Sequence, residues 1–182
     1  MEKLIRESLF NIPFWKIQTI NFEEKKKELV ELLESCPEER TELQEFATNR
    51  QSDRSGLVEG FLSIMSEEVE TLSKTIFEKV DIAIPEMWSI SYDKGDYHPP
   101  HNHSSMGLSG VLYLDFPKNS PVTVYIQPWN NYVNDNVQYY VVDVAEGDIV
   151  ISPSFIIHFT EPNKLNSKKR IISWDMKILD EK

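Results

Sequence analysis

Three of the chain's four histidines fall within six residues, His98, His101 and His103 in "YHPPHNH"; the fourth, His158, stands far downstream in "SPSFIIHFTEPN". Neutral imidazole binds iron, zinc, copper and nickel alike, so the set reads first as a metal-site pattern that does not name its metal. In a strand, residues i and i+2 project to one side. His101 and His103 can therefore grip one ion from a strand that begins near His101, after Pro99-Pro100. His158 follows "EGDIVISPSFII", a buried strand, a proline turn and a second short apolar run. A jelly roll brings that second run alongside the first strand, where His158 closes the triangle. His98 precedes the double proline, out of phase with the pair, and reads as a bystander. The plain alternatives are a solvated His-X-His turn and an ordinary partly buried His158. The order of all three, followed by a basic residue on the last strand, favours a metal.

The elements that must hold these residues change character near residue 82. Before it, "PFWKIQTI" reads as a strand. "NFEEKKKELVELLES" places Leu29, Leu32 and Leu33 on one face of an amphipathic helix. A second helix is predicted from Leu57, Phe61, Ile64, Met65, Val69, Leu72, Ile76 and Val80, with Ser52, Asp53 or Ser55 as its cap and Pro85 barring its continuation. After residue 82, "MWSISY", "SGVLYLDF", "VTVYIQ", "QYYVVDV", "DIVISP" and "RIISWDMKI" are short runs rich in Val, Ile, Tyr and Trp, punctuated by Gly, Pro, Asn and Asp. The expected fold is α+β, mainly β: a jelly roll with the N-terminal helices packed on one outer face. One domain is expected over 1–182, with 1–82 as support and 83–182 as the core that carries the site. "PWNNYVNDN" reads as an exposed loop at the rim of a site.

Composition narrows the partners. A net charge of −11 over 182 residues repels phosphate backbones and anionic lipid, and Lys168-Lys169-Arg170 is too short a basic cluster to offset it. Nucleic acid is not expected as a ligand. No apolar run approaches the ~20 residues of a membrane span, and "MEKLIRESLF" lacks the apolar core of a signal peptide. A lone Cys36 makes no internal disulfide. A cytoplasmic location is expected, and a homodimer is compatible with these features.

The segments "YDKGDYHPPHNH", "LSGVLYLDF", "EGDIVISPSFIIHFTEPN" and "RIISWD" resemble, over roughly residues 87 to 178, the iron(II)- and 2-oxoglutarate-dependent oxygenases, particularly their prolyl-hydroxylase-like branch. The resemblance implies a double-stranded β-helix and a hydroxylase that uses Fe(II), O₂ and 2-oxoglutarate on a peptide side chain or small metabolite. It implies that His101 and His158 occupy the two histidine positions, with His103 where the family usually has a carboxylate. Tyr113 matches a tyrosine that hydrogen-bonds the far carboxylate of the co-substrate; Tyr92 and Tyr97 match pocket tyrosines. Arg170 is taken as that carboxylate's cationic partner, since a guanidinium holds it bidentately. Lys169, of opposite strand parity, is the alternative if "ISWD" is aligned on the family's last strand.

Three imidazoles in place of the two-histidine, one-carboxylate triad leave 2-oxoglutarate use open. Cupins share the jelly roll, and Gly95 with His101-X-His103, then Gly147, Pro153 and His158, follow much of their two motifs. The glutamate and second glycine of those motifs are replaced by residues such as Gly107, Leu108 and Phe155. A cupin-like three-histidine dioxygenase, isomerase or binder without 2-oxoglutarate is therefore the alternative function. An interaction module with incidental histidines is a third.

Overall fold

The computed structural model describes residues 11–76 and 82–179. "MEKLIRESLF" and Val80 of the expected second helix lie outside the described residues. Eleven strands are laid out as β1 (Trp15–Gln18), β2 (Glu39–Arg40), β3 (Ala47–Thr48), β4 (Ile82–Tyr92), β5 (His98–His101), β6 (Leu108–Asp115), β7 (Thr123–Ile126), β8 (Tyr139–Val141), β9 (Asp148–Pro153), β10 (His158–Thr160) and β11 (Lys169–Ile178). Among the described residues, three helices precede β4: α1 (Phe22–Glu34), α2 (Leu57–Ile64) and α3 (Ser66–Ile76). The single helix expected from residue 57 onward is thus two, broken at Met65, which leaves helical geometry at φ −97 and ψ 24.

The strands form two sheets, a seven-stranded one in the order β1-β9-β6-β11-β4-β3-β2 and a four-stranded one in the order β5-β10-β7-β8. All pairings are antiparallel. This is a double-stranded β-helix with its helices on one outer face, as the strand-rich half of the sequence predicts.

The large sheet is buried on both faces, so its central strands lose the polar alternation of a half-exposed strand. On one face, Leu112, Leu114, Ile149, Ile151, Ile172 and Trp174 pack against Leu29 and Leu33 of α1 and Leu57 and Phe61 of α2. The apolar positions of each helix recur at i and i+4, one stripe that must be covered. Burying each such side chain is worth roughly 1.5–3 kcal/mol, enough to dock two short helices. On the other face, Trp88, Ile90, Tyr92, Val111, Tyr113 and Ile171 look toward Tyr125 and Ile156 of the small-sheet side. The site opens from this inter-sheet layer.

Candidate metal centre

His101 and His158 are register partners across β5 and β10. The jelly-roll return that brings the late run beside the early one is therefore present, and His158 lies opposite His101. His103 reaches the same place by a different route from the one expected. The strand covers His98 to His101, double proline included, and ends before His103. His103 lies in the turn beyond, anchored by its backbone N–H to the Ser154 carbonyl at 3.0 Å. Edge position explains the tolerated prolines: β5 closes the small sheet and needs hydrogen bonds on one side only.

One ligand nitrogen from each of His101, His103 and His158 lies within 4.8 Å of the others. Small ring rotations from that spacing bring three nitrogens to bonding distance of a single ion. The hydrogen bonds fix which nitrogen is available. His101 Nδ1 is 2.9 Å from the Pro99 carbonyl and His158 Nδ1 is 2.9 Å from the Ile156 carbonyl. A carbonyl only accepts, so each Nδ1 carries the proton and donates it, leaving Nε2 with its lone pair. His103 Nδ1 is 2.6 Å from Asp175 Oδ1. Burial raises the Asp175 pKa, but the His103 hydrogen bond and charge, then Ser109 and the Arg50 charge, outweigh it and hold the carboxyl below its ordinary range. Asp175 is a carboxylate that accepts, and His103 too presents Nε2. Burial also favours the neutral form of two ligands: it lowers the pKa of His101, and that of His158 to about 3, against weaker opposing hydrogen bonds to Pro99 and Ile156. Three imidazoles, each with Nδ1 held by an acceptor, are a fit for a transition-metal ion. They are the ligand type of cupin centres, and no carboxylate takes part as in a two-histidine, one-carboxylate triad.

The histidines line a cavity of about 180 Å³ with Phe46, Thr48, Arg50, Trp88, Tyr92 and Ser173. A larger hollow of about 370 Å³ is lined by Phe14, Tyr125, Trp129 and Tyr140, and the Tyr125 ring is 5.6 Å from His158. It gathers no cluster of ligating groups, so the chemistry belongs to the smaller cavity. His98 also lines this cavity, although it is not one of the three clustered ligands. Its ring stacks on His101 at 4.0 Å and lies tilted against Phe46 at 4.2 Å, and its Nδ1 is 3.1 Å from the Tyr92 hydroxyl. Burial, then the neighbouring His101, press its pKa down to about 2.

Strand parity sets the two basic residues of the last strand on opposite faces. Ile171, Ser173 and Asp175 of β11 face the cavity side, so Arg170 points the other way. There its Nε donates to Asp115 Oδ2 at 2.8 Å, and Lys26 of α1 meets the same carboxylate at 2.9 Å. Lys169 shares the inward parity and is fully buried. Its Nζ donates to the Pro121 carbonyl at 2.8 Å and lies 4.7 Å from the Tyr92 ring and 5.9 Å from that of Tyr113. Desolvation lowers its pKa to about 7, and no carboxylate offsets that shift. Tyr92 and Tyr113 are buried around it, Tyr113 donating to Thr123 Oγ1 at 3.1 Å. Burial raises both phenols well above the ordinary tyrosine range. Tyr97 does not line the cavity; it is half-exposed and makes a backbone bond to Glu45.

Sequence reasoning missed Phe46, Arg50, Trp88 and Asp175. The two-residue strands β2 and β3 carry no periodicity, so nothing marked their hairpin as a cavity wall. Asp175 was legible: it shares strand parity with Lys169, and choosing that parity places both inward.

Comparison with known proteins agrees with this fold. Residues 86–175 match the family described as "Putative 2OG-Fe(II) oxygenase". No curated protein sequence matches the chain. Among solved structures, a 2OG-Fe(II) oxygenase family oxidoreductase from Burkholderia pseudomallei is similar, with a TM-score of 0.70 at 11% identity, over 90% of this chain and 84% of that one. HygX from Streptomyces hygroscopicus, solved with nickel, 2-oxoglutarate and hygromycin B, has a TM-score of 0.65 at 10% identity, over 91% of this chain and 82% of its own. A Pseudomonas putida prolyl-4-hydroxylase has a TM-score of 0.57 at 12% identity, over 90% and 92%. The chain therefore has the double-stranded β-helix fold of the 2OG-Fe(II) oxygenases, built around a three-histidine site. That likeness extends over the whole fold class and does not single out the prolyl-hydroxylase branch.

Proposed function

We propose that this protein is a mononuclear metal-dependent oxygenase whose ion is held by His101, His103 and His158 alone, as in the three-histidine cupins. The convergence of one ring nitrogen from each of three histidines, with every Nδ1 placed on a hydrogen-bond acceptor, is the observation that carries this reading. Iron(II) in such a site would supply the activation of O₂ for oxidation of a bound organic molecule. The chain's own contribution is a small cavity of about 180 Å³, positioned ligands and, beside the wall formed by Tyr92 and His98, a buried lysine.

That lysine favours a second, narrower reading in which 2-oxoglutarate is the co-substrate and a C–H bond of a small metabolite or peptide side chain is hydroxylated. An ammonium with no carboxylate partner among the described residues, enclosed by Tyr92 and Tyr113, is suited to one end of a dicarboxylate. In this reading Lys169, not Arg170, holds the far carboxylate, and Tyr113 and Tyr92 shape its pocket.

Anaerobic addition of iron(II) and then 2-oxoglutarate, followed by visible absorption, tests both. A charge-transfer band that needs both components, and is lost in Lys169→Ala but kept in Arg170→Ala, supports 2-oxoglutarate use. Iron binding without a band leaves the three-histidine oxygenase and removes its co-substrate. Absence of iron binding overturns the proposal.

A further inference from the structure

We propose that Asp175 is a positioning residue of the metal centre: through His103 it supplies, one side chain removed from the ion, the negative charge that the ligand set lacks. The inference rests on the three-histidine reading above.

The three ligands are not held alike. His101 and His158 each donate to a neutral backbone carbonyl two residues earlier in the chain, Pro99 and Ile156. His103 alone donates to an ionised group, Asp175 Oδ1 at 2.6 Å. A hydrogen bond with an ionised partner is shorter and roughly twice as strong as a neutral one. A carboxylate on Nδ1–H also raises the basicity of the opposite nitrogen and fixes the ring's orientation. His103 needs that help most, since it sits beyond the end of β5 in a turn rather than in a ladder.

Asp175 is itself built in. Its Oδ1 also accepts from Ser109 Oγ at 3.2 Å, and the Ser109 and Ser154 hydroxyls are 2.8 Å apart. Both serines are buried. Ser154 then returns to the ligand, its carbonyl accepting the His103 backbone N–H. The loop of contacts runs from the His103 ring to β11, across β6 to the end of β9, and back to the His103 backbone. Trp88 stacks on the His103 face at 5.6 Å and completes the socket. A surface aspartate paired by chance would have no such closed circuit.

The test compares the full chain with Asp175→Asn, which keeps an acceptor oxygen and loses the charge, and with Asp175→Ala, which loses both. Cobalt(II) titration followed by its d–d absorption should show dissociation constants weakened roughly 10-fold for the Asn variant and up to about 100-fold for Ala, with a shifted band in both. Nitrogen-detected NMR of the metal-free proteins should show His103 held as the Nδ1–H tautomer in the native chain and as a mixture in Asp175→Ala. His101 and His158 should be unchanged. Native-like affinity, band and tautomer in both variants would overturn the inference while leaving the metal centre in place. A native chain that binds no ion would remove the three-histidine reading instead. Should the Ala variant fail to fold, the near-isosteric Asn variant decides the matter by its affinity and band.

Discussion

At the scale of single residues, the proposed site separates into groups that would bind an ion and one suited to receive an anion. Lys169 is the second kind. Its pKa is lowered from 10.5 to about 7 because burial penalises the ammonium. Pairing with a carboxylate requires the charged form, so above about pH 7 an incoming anion must bring a proton with it. Facing Lys169 are Tyr92 from β4, Tyr113 from β6 and the electrostatically coupled His98 from β5, none of which offers a negative charge near neutrality. The affinity of the cobalt-loaded protein for 2-oxoglutarate is therefore expected to fall as pH rises from about 7 to 9. Calorimetry in buffers of different ionisation enthalpy should register proton uptake at the upper end. An affinity flat across that range would show that Lys169 is not the partner. The same reasoning separates Lys169 from its neighbour. Arg170 already spends its charge on Asp115, so Arg170→Ala should leave anion binding intact and at most loosen the α1 contact made through Lys26.

Elements set which of these residues can meet. The strand-rich second half, the helices on one outer face and the pairing of the His158 run with the first histidine strand were all legible, because buried β-branched runs and turn residues mark strands directly. Three things were not. The break at Met65 is invisible in a hydrophobic repeat that continues through it. The strand β5 begins before its prolines because an edge strand forgives them. The inward face of β11 could be read only by choosing a parity, and the two adjacent basic residues offered both choices. Packing between elements gives a sharper check. Gly110 of β6 is the register partner of Trp174 of β11, and a Cβ built at Gly110 would lie inside the Trp174 indole. The same indole packs on Phe61 of α2 with ring centroids 5.1 Å apart, so it has little room to retreat. Gly110→Ala should destabilise the protein by about 1–3 kcal/mol, read as a lowered denaturation midpoint with unchanged slope. A neutral effect would mean that the sheet and helix layer is looser than this packing implies.

The whole molecule carries the site's electrostatics in its stability. His98, His101 and His158 are buried in the neutral form, with folded pKa values below the ordinary 6.5. The unfolded chain takes up protons at these positions as pH falls through 6.5, while the folded protein resists. Stability of the metal-free protein should thus be full above pH 6.5 and decline progressively below it. Thermal unfolding between pH 7.5 and 5 measures this, and replacing His98 with phenylalanine should flatten the slope. Among the described residues no helix is long and apolar enough to cross a membrane. The two-sided burial of the large sheet instead invests the fold's apolar surface in holding β4, β6 and β11 rigid beneath the cavity. Everything proposed for that cavity depends on one claim, that three histidines bind a single ion. The most direct measurement is anaerobic iron(II) titration with metal analysis of the native chain and of His101→Ala, His103→Ala, His158→Ala and His98→Ala. One equivalent of iron in the native and His98→Ala proteins, and its loss in the other three, is the expected result. Equal iron content in all five proteins, or none in the native one, would contradict it.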